Sequence, residues 1–336
     1  MPESLTYLAQ VVGGLILLVW GGDRFVYGAS AVARNLGVTP LMIGLTIVSF
    51  ATSAPEFLVS TVAALRGEPE LAIGNAIGSN IANIGLVLGA VALIHPIKLQ
   101  TTNAQREMGI LIVITCMTVF LFSDSVLTRI DGIVLLAALV IFGVWVVRRG
   151  TALAAPATLR STLQNPQEIS NGTEIENDIK MIVAIFWVVI GLVTLLAGAE
   201  LLVKGAVSIA REFGVSEIII GITLVALATS LPELVVSVVG AFRGEYGLVL
   251  GNIVGSNIFN LLGVVGVAAL IPDNPIELPP NVLSLHLVVM VALTLALFAM
   301  TYKPKNKHIG RFKGIILLAA YLSFNAYLVT QNVRID

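Results

Sequence analysis

Glu56 and Glu233 each stand in the middle of a long apolar stretch, directly after a proline, in the strings ATSAPE and ATSLPE. An ionisable group at that depth of an apolar helix costs several kcal/mol unless it is paired or hydrated, so the pair marks a candidate site. One buried Glu could be a protonated acid hydrogen-bonded between helices; the same residue in the same frame twice argues against that. Pro55 and Pro232 each remove an amide hydrogen and clash with the carbonyl one turn earlier, so the helix must kink or open there. The carbonyls freed in this way lie around Ser49–Ala51 and Ala226–Ala228, and Thr52, Ser53, Thr229 and Ser230 add hydroxyls in the same turn. A lone Thr-Ser pair bonds back to its own helix. Beside Pro-Glu in both copies, ligation is the better reading.

A second polar set follows each glutamate: Asn75, Ser79, Asn80 and Asn83 after the first, Asn252, Ser256, Asn257 and Asn260 after the second. Ser79 and Asn83 are four residues apart and share a helix face, as do Ser256 and Asn260. Asn80 and Asn257 are rotated off that face and read as helix-packing or gating residues. Glycines at 74, 78, 85 and 89, and at 251, 255, 263 and 266, read as positions where backbones meet closely around the site. The summed donors are two carboxylates, two carboxamide oxygens, several hydroxyls and freed carbonyls, with no histidine or thiol. Such an all-oxygen set suits a hard cation such as Ca²⁺, which takes about 6–8 oxygens at roughly 2.3–2.6 Å, and the same oxygens can hold Na⁺.

The elements that must position these groups are membrane spans. The chain has 336 residues, 57% hydrophobic and 12% charged, with mean hydropathy +0.96, whereas a soluble domain carries about 25% charged residues. That excludes soluble enzymes, secreted disulfide scaffolds and nucleic-acid binders. The one cysteine, Cys116, cannot form an internal disulfide and reads as a small hydrophobe packed in an apolar run. The first apolar stretch has no basic region before it and reads as a retained span, not a signal peptide. Stretches long enough to cross the bilayer fall near 5–33, 38–64, 70–94, 106–124, 129–147, 181–211, 215–241, 247–271, 283–301 and 313–331. The expected fold is all-α: a polytopic membrane protein of ten transmembrane helices.

Residues 44–83 align without a gap onto 221–260 at an offset of 177, with 23 identities in 40 positions. This is a fused duplication, with a first repeat at 1–147, a polar linker at 148–180 and a second repeat at 181–336. Each half carries five spans, an odd number, so the second copy enters the membrane the other way up, as in secondary transporters with inverted-topology repeats. The basic residues agree. Excluding Arg24 and Lys204 within long helices, 13 fall on one side and 4 (Arg66, Arg129, Arg211, Arg334) on the other. The positive-inside rule then places the linker in the cytoplasm and both termini outside. The sequon at Asn171 is discounted because it lies in that linker. Asp23 and Glu200 are repeat mates deep in the first and sixth spans; Glu200 can pair with Lys204 at i+4, whereas adjacent Asp23 and Arg24 point apart. His95, His286 and His308 fall near span ends or in the loop after the ninth span.

ATSAPE with GNAIGSNIAN, and ATSLPE with GNIVGSNIFN, resemble the α1 and α2 repeats of the cation/Ca²⁺ exchanger superfamily, and the plan of the whole chain is similar to its prokaryotic sodium/calcium exchanger branch. The resemblance implies Ca²⁺/Na⁺ exchange by alternating access, with the long first and sixth spans sliding past a core of spans two, three, seven and eight. By position it implies Glu56 and Glu233 as central carboxylates for Ca²⁺ and Na⁺, with Asn83 and Asn260 completing the centre. Thr52, Ser53, Ser79, Thr229, Ser230 and Ser256 would build flanking Na⁺ sites with the carbonyls of Ser49 and Ala226. Some members carry an aspartate where this chain has Asn260, and in the K⁺-dependent animal branch an acidic residue there accompanies K⁺ binding, so Asn260 argues against K⁺ dependence. The short linker has no room for the large Ca²⁺-sensing domains of animal exchangers.

The function expected is therefore an antiporter of the cell membrane, not an enzyme, with Na⁺ and Ca²⁺ as substrates. No cofactor, nucleic acid or obligate protein partner is expected, and the bilayer is the only surrounding surface. The nearest alternative is a Ca²⁺/H⁺ exchanger whose glutamates carry protons. A passive cation channel would pass ions without a counter-ion, and a hydrolase lacks any nucleophile–base pair.

Overall fold

The computed structural model describes residues 3–99, 101–154, 179–213, 226–278, 282–302 and 308–333. Helices dominate: α1 (Glu3–Leu36), the bent pair α2 (Pro40–Thr52 and Ala54–Leu65), α3 (Pro69–Ile94), α4 (Thr101–Leu121) and α5 (Arg129–Ala154). After the linker come α6 (Met181–Glu212), α7 (Ala226–Thr229 and Leu231–Phe242), α8 (Tyr246–Leu270), α9 (Ser284–Thr301) and α10 (Arg311–Val333). Among the described residues seven of these helices are long and apolar enough to cross a membrane, and the two parts of α2, taken as one span, make eight. The expected span at 215–241 falls partly on 214–225, outside the described residues. So does most of the expected linker, including Asn171.

α5 extends beyond the apolar stretch that ends near 147. α5 runs on through RRGTALA to Ala154, because Arg, Leu and Ala are strong helix formers. Arg149 is also held there, 5.1 Å over the Trp145 ring and 3.6 Å from the Glu107 carboxylate on α4.

The two longest helices, α1 and α6, pack antiparallel along their length. Gly14 backs onto Gly198 and Leu202, Gly21 onto Gly191 and Leu195, and Gly28 onto Ala184 and Val188, so rising numbers on one helix meet falling numbers on the other. A spacing of seven keeps each glycine on one stripe, and without a Cβ the two backbones come into direct contact. At 34 and 32 residues these helices run to about 50 Å at 1.5 Å per residue. That exceeds the roughly 30 Å hydrocarbon layer, so they must tilt or protrude.

α3 and α8 form the centre. Their most apolar stretches are 72% and 83% buried by the protein, against 22% for α1, α5 and α6. Helices surrounded by protein can carry buried Asn and Ser side chains that would be costly facing lipid. Gly44 on α2 meets Leu248 on α8, Gly251 meets Leu41 and Gly44, and Gly255 meets Ser49. Gly85 and Gly89 seat Tyr321 and Leu318 of α10, while Gly263 and Gly266 seat Leu139 and Leu136 of α5. For Gly74 and Gly78 no described residue lies within 4 Å of where their Cβ would be; their repeat mates Gly251 and Gly255 meet residues 41–49, whose counterparts fall almost wholly in 214–225, outside the described residues.

Two antiparallel two-residue ribbons tie the halves of the chain together. Ile97–Lys98 pairs with His308–Ile309, and Val126–Leu127 with Ile276–Glu277. The histidines lie at such margins: His95 follows α3 and packs its ring on Phe242 and Tyr246, His286 opens α9, and His308 is in a ribbon. Cys116 departs from the packed position expected, since it is exposed on the outer face of α4.

Candidate functional site

The prolines act by restarting helices. α2 breaks at Ser53 (φ −83°, ψ 6°), and a new helix begins at Ala54 with Pro55 in its first turn, bent 45° from the preceding part. Ser230 (φ −88°, ψ 2°) stands in the same relation to Leu231 and Pro232. Proline is tolerated there because the first amides of a helix have no intrahelical acceptor. Glu56 and Glu233 thereby fall in the first turns of fresh helices, where the dipole favours a negative group. The amide missing at Pro55 deprives the Ala51 carbonyl of its usual donor. The Ser49 carbonyl accepts the Ser53 amide at 2.9 Å, and the Thr52 hydroxyl stands 3.4 Å from the same oxygen. Ala226 opens the short turn before Ser230, directly after the undescribed segment 214–225.

The next helices are irregular at matched places. Both α3 and α8 widen into a π-helical turn that starts at Asn83 and at Asn260, a distortion frequent at functional sites. These turns keep Asn83 and Asn260 buried beside Ser79 and Ser256, which lie one turn earlier.

Both glutamates are fully buried, and the charge of Glu233 reaches Glu56. The Ser53 hydroxyl donates to Oε1 of Glu233 at 3.1 Å, across the two halves of the chain. Thr52 Oγ1 lies 3.0 Å from Oδ1 of Asn252, to which it donates. Behind the glutamates, Asn75 Nδ2 donates to Ser60 Oγ at 3.0 Å and to the Glu56 carbonyl at 3.3 Å. Asn252 Nδ2 donates likewise to Ser237 Oγ at 3.3 Å. These two Asn–Ser pairs are repeat mates, and their serines, Ser60 and Ser237, were not among the residues expected near the site. The signal for them was present in the alignment, since both Asn and Ser recur at the offset of 177.

Seven buried oxygens here make no hydrogen bond among the described residues: Glu56 Oε1 and Oε2, Glu233 Oε2, Ser230 Oγ, Ser256 Oγ, Asn83 Oδ1 and Asn260 Oδ1. No ion pair among the described residues involves either glutamate. Buried carboxylates without a counter-charge are costly, so the site requires a cation or protons from outside the protein. Among the described residues no three His, Cys, Asp or Glu side chains cluster. Two charges and a ring of neutral oxygens is hard-cation chemistry, not that of zinc or copper.

Other sequence candidates lie elsewhere. Glu200 pairs with Lys204 at 2.6 Å, as expected. Asp23 does not stand apart from Arg24, which approaches to 3.8 Å, and its main partner is Arg243 at 2.6 Å, a contact that the folding of α7 onto α1 creates.

A family model described as sodium/calcium exchanger protein matches residues 6–148 and 183–330. CaxA of Alkalimonas amylolytica, which bears the provisional name of an antiporter, is 43% identical over 96% of this chain and 98% of its own length. The sodium/calcium exchanger MaX1 of Methanosarcina acetivorans is 31% identical over 93% and 95%. A structure of the sodium-calcium exchanger NCX_Mj, soaked with 10 mM Na⁺ and no Ca²⁺, superposes with TM-score 0.79 at 36% identity, covering 96% of this chain and 99% of that one.

Proposed function

Because the chain belongs to the sodium/calcium exchanger family, we propose that it exchanges Na⁺ for Ca²⁺ across the cell membrane at one site centred on Glu56 and Glu233. The observation that carries this reading is the set of buried oxygens without partners among the described residues, drawn from both halves of the chain. Asn83, Asn260, Ser79, Ser256, Thr52, Ser53, Thr229 and Ser230, with the carbonyls of Ser49 and Ala226, supply the remaining ligands. Ca²⁺ and Na⁺ compete for these oxygens. The empty site crosses reluctantly, since two uncompensated carboxylates would have to pass an apolar gate. That penalty enforces exchange instead of leak.

The architecture we infer has ten spans in two inverted halves, 1–147 and 181–336, joined by a cytoplasmic linker at 148–180, with both termini outside. Its support is the duplication together with the antiparallel glycine stripes of α1 and α6. Gly14, Gly21 and Gly28 are the repeat mates of Gly191, Gly198 and Gly205.

Proteoliposomes loaded with Na⁺, K⁺ or choline at equal pH test the function. Ca²⁺ uptake from the Na⁺-loaded vesicles alone is expected. Uptake driven by a proton gradient without Na⁺ would keep the site and replace the coupling ion.

A charge pair reports the direction in which the site faces. Arg243 donates to Asp23 through Nη2 and Nε at 2.6 and 2.9 Å, and Arg34 stands 3.9 Å from Glu245, so α1 is tied to the connection between α7 and α8. The repeat mates of Asp23 and Arg243 are Glu200 and Arg66, and here Glu200 pairs within its own helix. In the opposite-facing state Glu200 takes Arg66 while Asp23 releases Arg243. Since these side chains are partly solvated, Asp23→Ala is expected to shift the two populations by only about 2–5-fold. Distances between spin labels on α1 and α8, with Cys116 replaced, measure this; an unchanged distribution removes the pair from the cycle.

A further inference from the structure

A carboxamide can offer a cation its oxygen, which binds, or its amino group, which repels, and the buried Asn260 presents one of the two to the site. We infer that Asn80 makes this choice: it is a positioning residue that holds Asn260 with Oδ1 turned toward the cation. The inference rests on the cation-site reading of Glu56 and Glu233 and deepens it.

The chain of hydrogen bonds has a fixed sense. Asn80 Nδ2 on α3 donates to the main-chain carbonyl of Asn257 on α8 at 3.2 Å, and the same nitrogen lies 3.8 Å from Sδ of Met290 on α9. A main-chain carbonyl can only accept, so the amino side of Asn80 must face it. Its Oδ1 is thereby turned to Asn260, whose Nδ2 donates to it at 3.1 Å. With its amino group engaged, Asn260 must direct Oδ1 the other way. That oxygen is buried without a hydrogen-bond partner among the described residues, as are Ser256 Oγ one turn earlier on the same face and Glu233 Oε2. Orientation passes from the backbone of α8, through Asn80, to Asn260.

The arrangement is made only once among the described residues. The repeat mates of Asn80 and Asn260 are Asn257 and Asn83, and both carboxamides there have neither nitrogen nor oxygen bonded. Asn260 is thus pre-set as an oxygen ligand, whereas Asn83 is set only by the ion it meets. Preorganising a ligand lowers the cost of binding.

The test compares Ca²⁺ affinity, by titration calorimetry of the purified protein and by half-saturation of Na⁺-dependent uptake, when Asn80 is changed in two backgrounds. In the native background Asn80→Ala frees Asn260 to turn its amino group inward, and Ca²⁺ affinity is expected to fall about 10-fold. In the Asn260→Asp background there is no amino group to turn, because either carboxylate oxygen ligates. The same Asn80→Ala change is then expected to cost less than about 2-fold. Asn80→Leu, close in shape and apolar, repeats the comparison should the alanine variant fail to insert. Equal losses in both backgrounds, or none in either, would overturn the inference and leave Asn80 a packing residue. A native protein that neither binds Ca²⁺ nor couples it to Na⁺ overturns the cation-site reading itself, which the first titration of the series shows.

Discussion

Glu56→Gln and Glu233→Gln are each expected to reduce Na⁺-dependent Ca²⁺ uptake by about two orders of magnitude or more while the protein still inserts. Glutamine keeps the shape and removes one of the two buried charges. Removing one partner from a buried charge cluster costs about 3–5 kcal/mol, which at 1.4 kcal/mol per decade is roughly 100-fold or greater. The ion-free protein should not suffer, because both glutamates are fully buried, neither oxygen of Glu56 has a partner among the described residues, and a glutamine oxygen at 233 can still accept the Ser53 hydroxyl. Each variant should therefore melt no lower than the native protein without ions, yet lose the rise in Tm that Ca²⁺ confers by binding the folded state. Uptake and melting curves with and without Ca²⁺ separate these effects. Retained exchange in both variants would remove the glutamates from the site.

Gly198→Ala and Gly21→Ala are the second pair of changes with a large expected effect, and here stability leads. A Cβ on Gly198 would land on the backbone of α1 at Leu18 and within 2.9 Å of the Gly14 carbonyl, and one on Gly21 would land on the backbone of α6 at Leu195. Main chain cannot rotate away as a side chain can, so the two long helices must part. Overpacking of this kind costs about 1–3 kcal/mol, and transport should fall with it. Gly109→Ala and Gly143→Ala are the controls, since nothing among the described residues lies within 4 Å of either Cβ. There the change is expected to be neutral or to gain up to about 1 kcal/mol of helix propensity. Equal melting temperatures for Gly198→Ala and Gly143→Ala would show that the α1–α6 contact is looser than the geometry requires.

The two substitutions address different layers of one design. The glutamates are tolerated because α3 and α8 surround them with Asn and Ser, shielded from lipid. The glycine stripes of α1 and α6 lie outside that centre and bring the two backbones together, with Trp20 of α1 set edge-on to Trp187 of α6. So close a contact makes α1 and α6 one unit, which suits an alternating access in which the pair moves together past α2, α3, α7 and α8.

The duplicated strings, the two prolines and the depth of the glutamates were all legible in one dimension. A proline's missing amide and a buried charge have consequences wherever the helix packs. The Glu200–Lys204 pair was legible as well, since its partners are set by helical spacing alone. Partners across helices were not. Asp23 takes Arg243, 220 residues away, because α7 lies against α1, and Cys116 is exposed because α4 turns that face outward. α5 outran its expected end because Glu107 and Trp145 hold Arg149. Asn80 was placed on the right helix but off the ligand face. Its effect on Asn260 depends on a main-chain carbonyl of α8, and periodicity along a single helix carries no information about which foreign carbonyl that helix will meet. Local chemistry follows from residue order, since covalent neighbours and the helical repeat are written into it; the direction in which a carboxamide points is decided only when two helices have come together.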